Sequence, residues 1–180
     1  MKREIPETTI LKLPAFLEII LASAEAYHDE CYGILMGVKG KSSIIIEDAQ
    51  VLQDVKRSPY GVTPVAKRER RILNLIKSLN LENMESIGDF HSHPMIGGVK
   101  GKPVPSGDDI LDMKEGKLYI IVAVNESRRN TEWRYNPKNK ILKGSLENFS
   151  FKISAYYCYE KLSYRKLHIK CPFVLNFKKE

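Results

Sequence analysis

The sequence predicts a mixed α/β domain, and three observations carry that prediction. Two segments repeat apolar residues at helical spacing, several short runs are apolar and β-branched as strands are, and glycine and proline clusters separate them. With 180 residues the chain is long enough to bury a core as one domain with a modest appendage.

The elements follow in order. Leu13, Phe16, Ile19, Ile20, Ala24 and Tyr27 fall on one helical face, and Pro14 suits a first turn, so a helix is expected over roughly 13–28. Cys31–Met36 reads as a strand ending at Gly37, and Gly37–Lys41 as a turn. A second apolar strand follows around Ser43–Glu47, irregular as far as Val55. Arg57–Pro64 holds two prolines and a glycine and reads as a loop. Thr63 is the expected N-cap and Pro64 the opening of a second helix, with Ile72, Leu75, Ile76 and Leu79 as its buried stripe. Glu85–His93 reads as a strand, Met95–Pro105 as a loop, and Ser106 as the start of a short helix to about Lys114. Leu118–Asn125 is nearly continuously apolar, as a central strand is. Thr131–Tyr135 and Lys140–Leu142 suggest a hairpin. Further on, Phe149–Ile153 reads as a strand, Ala155–Leu167 as a tyrosine-rich helix and Val174–Phe177 as an edge strand. The expected division is a main domain over 1–144 and a C-terminal extension over 145–180 packing on it.

Composition narrows the class. The chain is 43% hydrophobic and 28% charged, ordinary for a water-soluble domain. The opening MKREIPETTI lacks a signal peptide's apolar stretch and no run of about 18 apolar residues is present, so no membrane partner and a cytoplasmic location are expected. Cys31, Cys158 and Cys171 are odd in number and form no CxxC pair, which suits buried, reduced thiols. The net charge of +7 gathers at Lys67–Arg71 and in the C-terminal region. No nucleic-acid-binding signature accompanies it, so these patches read as solvated faces rather than a nucleic-acid surface.

The chemistry-bearing stretch is Gly88-Asp89-Phe90-His91-Ser92-His93-Pro94. Side chains alternate along a strand, so His91 and His93 project from one face. A carboxylate arriving from a following loop or helix start would complete two imidazoles and one carboxylate, the donors of a catalytic zinc site. His-X-His alone is a weak signal. An amidohydrolase barrel needs about 250 residues, and a cupin is all-β, so neither fits. Ser106-Gly107-Asp108-Asp109 is by itself a good capping box, with Ser106 the cap and Asp109 reaching back.

Taken with Pro94, the Ser106-X-X-Asp109 spacing and the upstream Glu30-Cys31-Tyr32-Gly33-Ile34-Leu35-Met36-Gly37, the pattern resembles the JAMM motif of the MPN-domain metalloproteases. The resemblance covers roughly residues 8–125. It implies a mixed central sheet flanked by helices, of the cytidine-deaminase-like type. It implies His91, His93 and Asp109 as ligands of one Zn2+ per chain, Glu30 as general base and Ser106 as oxyanion donor. It implies a hydrolase of an amide or isopeptide bond at the C-terminus of a ubiquitin-like modifier, in a stand-alone prokaryotic or archaeal protein. An MPN-type binding scaffold and a relative associated with DNA processing are the alternatives, and a homo-oligomer is left open.

Two departures from the family pattern stand out. Fifteen residues separate His93 from Asp109, longer than the family's spacing, and the excess lies in MIGGVKGKPVP. A loop absorbs such length at small entropic cost, so the ligands are expected to converge regardless. Asp89 stands where relatives carry an aromatic or apolar residue, and its parity with His91 makes it a candidate partner for an imidazole. His28 and His168 have no partner in the pattern.

Overall fold

A computed structural model describes residues 4–53, 55–58, 61–81 and 84–172. In chain order the elements are β1 (Thr8–Leu11), α1 (Leu13–Glu25), β2 (Tyr32–Lys39), β3 (Ser43–Val51), β4 (Val55–Ser58), β5 (Gly61–Pro64), α2 (Ala66–Ser78), β6 (Glu85–Pro94), α3 (Gly107–Asp112), β7 (Lys117–Glu126), β8 (Arg134–Asn136), β9 (Ile141–Leu146), β10 (Phe149–Glu160) and β11 (Ser163–Lys170).

Nine strands form one mixed sheet in the order β11-β1-β3-β2-β6-β7-β10-β9-β8, and β4 pairs with β5 separately. β11 runs parallel to β1 and antiparallel to β10, so the sheet curls round until its two flanks share a strand. That closure leaves fewer unpaired edges, the usual liability of a long sheet. α1 packs Ala15, Phe16, Ile19 and Ile20 into a core shared with Leu35, Ile46, Phe90, Ile120, Val122 and Phe151. Trp133, which precedes β8, meets Phe16 edge-on at 5.0 Å and stacks over Phe151 at 6.1 Å, sealing the far side of that core.

β7 is buried on both faces, which explains its unbroken apolar run. Leu118, Ile120, Val122 and Val124 join the α1 core, whereas Tyr119 and Ile121 join Met113, Tyr156 and Cys158 in a second cluster on the opposite face. β6 lies between β2 and β7, and Gly88 is what lets it approach β7: a Cβ there would stand 1.7 Å from the Leu118 carbonyl oxygen.

Several expectations need correction. Ala155–Leu167 is not a helix: it forms most of a long β-hairpin made by β10 and β11. The tyrosines that suggested a helical face alternate across strands instead. Within the segment expected as a loop, residues 57–58 belong to β4 and 61–64 to β5, and the two strands pair antiparallel. α2 begins at Ala66 with Val65 as its N-cap and no side-chain cap, so Thr63 and Pro64 belong to β5. The stripe of α2 is not buried: no residue of the helix is, and Leu75 and Leu79 are 55% and 65% exposed. β1 was not foreseen, and Val174–Phe177 lies outside the described residues. The hairpin expected over 131–142 is present as β8 and β9.

Urea denaturation separates core from surface in this architecture. Phe90→Ala removes a fully buried ring and should cost about 3–5 kcal/mol. Leu75→Ala, at the exposed stripe of α2, should stay within about 0.5 kcal/mol. A large loss at Leu75 would show that α2 packs more deeply than described.

Candidate metal centre

The site is assembled from three backbone devices. The first is β6, whose alternation sends Phe90 and Ser92 into the interior and turns His91 and His93 to the face shared with Tyr119 and Ile121. The second is a pair of bonds to the residue beside Glu30: Cys31 donates its amide to Ser92 Oγ (2.9 Å), and Ser92 donates its own to the Cys31 carbonyl (3.2 Å). The residue between the two histidines therefore anchors the upstream carboxylate. The third is the capping box of α3: Ser106 Oγ accepts the Asp109 amide at 3.1 Å, and Asp109 Oδ2 accepts the Ser106 amide at 2.6 Å. The capping-box reading of Ser106-X-X-Asp109 is present, and the cap fixes a carboxylate that faces the histidines.

The donors converge tightly. His91 Nε2 stands 3.1 Å from His93 Nε2 and 3.3 Å from Asp109 Oδ1, and His93 Nε2 stands 3.4 Å from Asp109 Oδ2. Donors arranged tetrahedrally at zinc's bond lengths lie about 3.3 Å from one another; the edge between the two imidazoles falls near that value, and Asp109 meets the two rings through different oxygens. His93 Nδ1 lies 2.9 Å from the Lys102 carbonyl. A carbonyl only accepts, so Nδ1 carries a proton and the Nε2 edge of the ring faces the cluster. The three residues could together hold a metal ion. Glu30 Oε1 lies 3.9 Å from His93 Nε2, on a side chain only 10% exposed.

Electrostatics match this crowding. Burial pushes the Glu30 carboxyl up to about 7; the His93 ring opposes the rise, Asp109 adds to it, and a hydrogen bond from the Val62 backbone lowers it. That contact comes from β5, in the segment expected to be a loop. Burial also works against the Asp109 carboxylate, but hydrogen bonds from His91 and His93 outweigh it and hold the group well below the ordinary range. Burial disfavours charge on His93, yet Asp109 and the Lys102 carbonyl raise it overall.

The model of the prokaryotic homologs of the JAB domain matches residues 12–136, a span that includes Glu30, His91, His93, Ser106 and Asp109. The chain belongs to this JAB-domain family. A desampylase of Pyrococcus furiosus is 26% identical over 142 residues, covering 78% of this chain and 91% of the relative. The solution structure of a protein from Desulfitobacterium hafniense superposes with a TM-score of 0.59 at 20% identity, over 91% of this chain and 92% of that one, a likeness of fold. Among the described residues, no helix of this JAB domain is long and apolar enough to cross a membrane.

Of the remaining sequence candidates, Asp89 shares a cavity with His91 and Asp109, and the others lie apart from the cluster. Asp89 lines a cavity with Tyr32, Glu69 and Tyr119 and makes no hydrogen bond to either imidazole; burial, then the nearby Glu69, push it up to about 8. The orienting partner of His93 is instead a backbone carbonyl, which no side-chain pattern announces. His168 Nδ1 pairs with Tyr135 Oη at 2.7 Å, and His28 packs on Tyr27 at a positive φ of 90°. Cys31, Cys158 and Cys171 are buried and form no disulfide with one another.

Binding to the folded state stabilises a protein by mass action, by about 4 kcal/mol at a thousandfold excess over Kd. Added zinc should therefore raise the Tm of the wild-type JAB domain, and a chelator should reverse the rise. Asp109→Ala or His91→Ala should abolish the response; an equal rise in those variants would place the metal elsewhere.

Proposed function

We propose that this JAB domain is a zinc-dependent isopeptidase that hydrolyses an amide or isopeptide bond at the C-terminus of a ubiquitin-like modifier. The observation that carries the reading is the convergence of His91, His93 and Asp109 at 3.1–3.4 Å with the buried Glu30 carboxylate beside them. Family membership and the likeness to a desampylase support the substrate class.

In this reading His91, His93 and Asp109 hold the ion. Bound there, zinc supplies a Lewis acid that activates water and polarises the scissile carbonyl. Glu30 takes the proton of the attacking water and passes it to the leaving amine, so the carboxylate is regenerated with each turnover. Ser106 accepts the Asp109 amide through its oxygen, and its own proton is donated to the oxygen of the scissile carbonyl as negative charge develops. Lys102 holds the His93 ring through Nδ1. The extended tail of a modifier reaches the site by adding along a sheet edge, a mode in which main-chain bonds give affinity and alternate side chains give selectivity. β5, whose Val62 amide already meets Glu30, borders the site with Thr63 and Pro64.

Cleavage of a panel of ubiquitin-like fusions and conjugates by the zinc-loaded protein tests the assignment. Glu30→Gln should lower kcat by about 10²–10⁴-fold while stoichiometric zinc is retained. Ser106→Ala should lower kcat by up to about 10³-fold. No cleavage of any member of the panel by the loaded wild type would sink the substrate class, and undiminished turnover in Glu30→Gln would sink the role of that residue.

A further inference from the structure

We infer that Tyr156, on β10 and beyond the residues the family model matches, is a positioning residue for His93, acting through residues 101–103. The inference rests on the metal-centre reading above. Its geometry is a short relay. Tyr156 Oη donates to the Pro103 carbonyl at 2.7 Å in a buried bond, and Pro103 is itself buried. The neighbouring Lys102 carbonyl accepts His93 Nδ1 at 2.9 Å. One residue earlier, Gly101 lies so close to β6 that a Cβ would stand 2.1 Å from the His93 carbonyl oxygen, and its own carbonyl accepts Asn125 Nδ2 at 3.4 Å. Three consecutive residues of the lengthened loop are thus each tied to the sheet, and the middle one orients the imidazole.

The rest of the loop does not share in this. Ile96 and Val99 close a two-residue turn over Gly97 and Gly98, both at positive φ, and Val99 is 72% exposed. The extra length therefore projects as a small hairpin while its C-terminal part is seated. Pro103 has no amide proton and a fixed φ, which makes its carbonyl a stiff point of attachment. Tyr156 belongs to the cluster of Met113, Tyr119, Ile121 and Cys158, on the same sheet face as the histidines, so its ring is held by packing and its hydroxyl is aimed by the sheet.

With the hydroxyl removed, the Lys102 carbonyl loses its fixed position and the His93 ring its fixed tautomer. Partners of this kind are worth about 10–100-fold in metal affinity. Two readouts test the relay on the full chain: zinc affinity by chelator competition, and the His93 tautomer by long-range ¹⁵N–¹H correlation on the metal-free protein. Tyr156→Phe should weaken zinc binding about 10–100-fold and shift His93 from the Nδ1–H form to a mixture. Gly101→Ala, whose added Cβ would meet the His93 carbonyl and force residues 101–103 away from β6, should do the same and serves if Tyr156→Phe does not fold. Wild-type affinity and tautomer in either folded variant would overturn the relay. Wild-type protein that binds zinc no more tightly than His93→Ala would overturn the metal centre itself, a distinct result.

Discussion

The site depends first on the placement of β6. It is hydrogen-bonded on both sides, antiparallel to β2 and parallel to β7, so its register is specified along most of its length. Because one face carries Phe90 into the core under α1, a slip of one residue would turn the imidazoles into that core and Phe90 out of it. The hydrophobic effect thus fixes the direction of the histidines without any contribution from metal chemistry. Gly88 completes the constraint, since the close approach to Leu118 that it permits brings β7 and, through the 113–116 connection, α3 to the histidine face.

On this platform Asp109 serves two physical tasks with one carboxylate. It satisfies a backbone donor at the start of α3, and it faces both imidazoles. Burying a carboxylate is costly, and the cost is offset here by the capping bond and by the two rings. The double use removes rotamer freedom, so the carboxylate faces both rings before any ligand arrives. Ser106 is drawn into the same arrangement, because the residue that starts the helix stands beside the residue that faces the histidines.

The sequence was informative where side chains alone decide the outcome. His91, His93, Ser106, Asp109 and Glu30 sit on positions whose direction follows from strand parity, a helix cap and a helix-to-strand junction. It was uninformative where a backbone group or a missing partner decides. The Lys102 carbonyl carries no residue signature, since any residue offers one. The apolar spacing of α2 was correctly helical, but an amphipathic pattern cannot say whether a surface covers the stripe, and Leu75 and Leu79 are exposed. The β10–β11 hairpin was concealed because its turn lacks the usual glycine or asparagine: Leu162 adopts a φ of 63° there, a strained choice for that residue. Tyrosines spaced along Ala155–Leu167 then satisfied a helical template as readily as a strand one, and tertiary pairing settled the matter.

The loop between His93 and Asp109 shows how a long connection can keep its two ends together. Loop-closure entropy grows only slowly with length, which explains why fifteen intervening residues are tolerated but not why His93 and Asp109 stay aligned. Alignment requires the insertion to be divided into a part that projects and a part that is seated. Gly97 and Gly98 allow the projecting turn, and Gly101, Lys102 and Pro103 return the chain to the sheet beside His93. The seat comes from β7 and β10, so strands remote in sequence from the donors hold the backbone that orients one of them. A sheet curled until β11 joins β1 to β10 can supply such a seat, because the C-terminal strands are then structural neighbours of the histidine face.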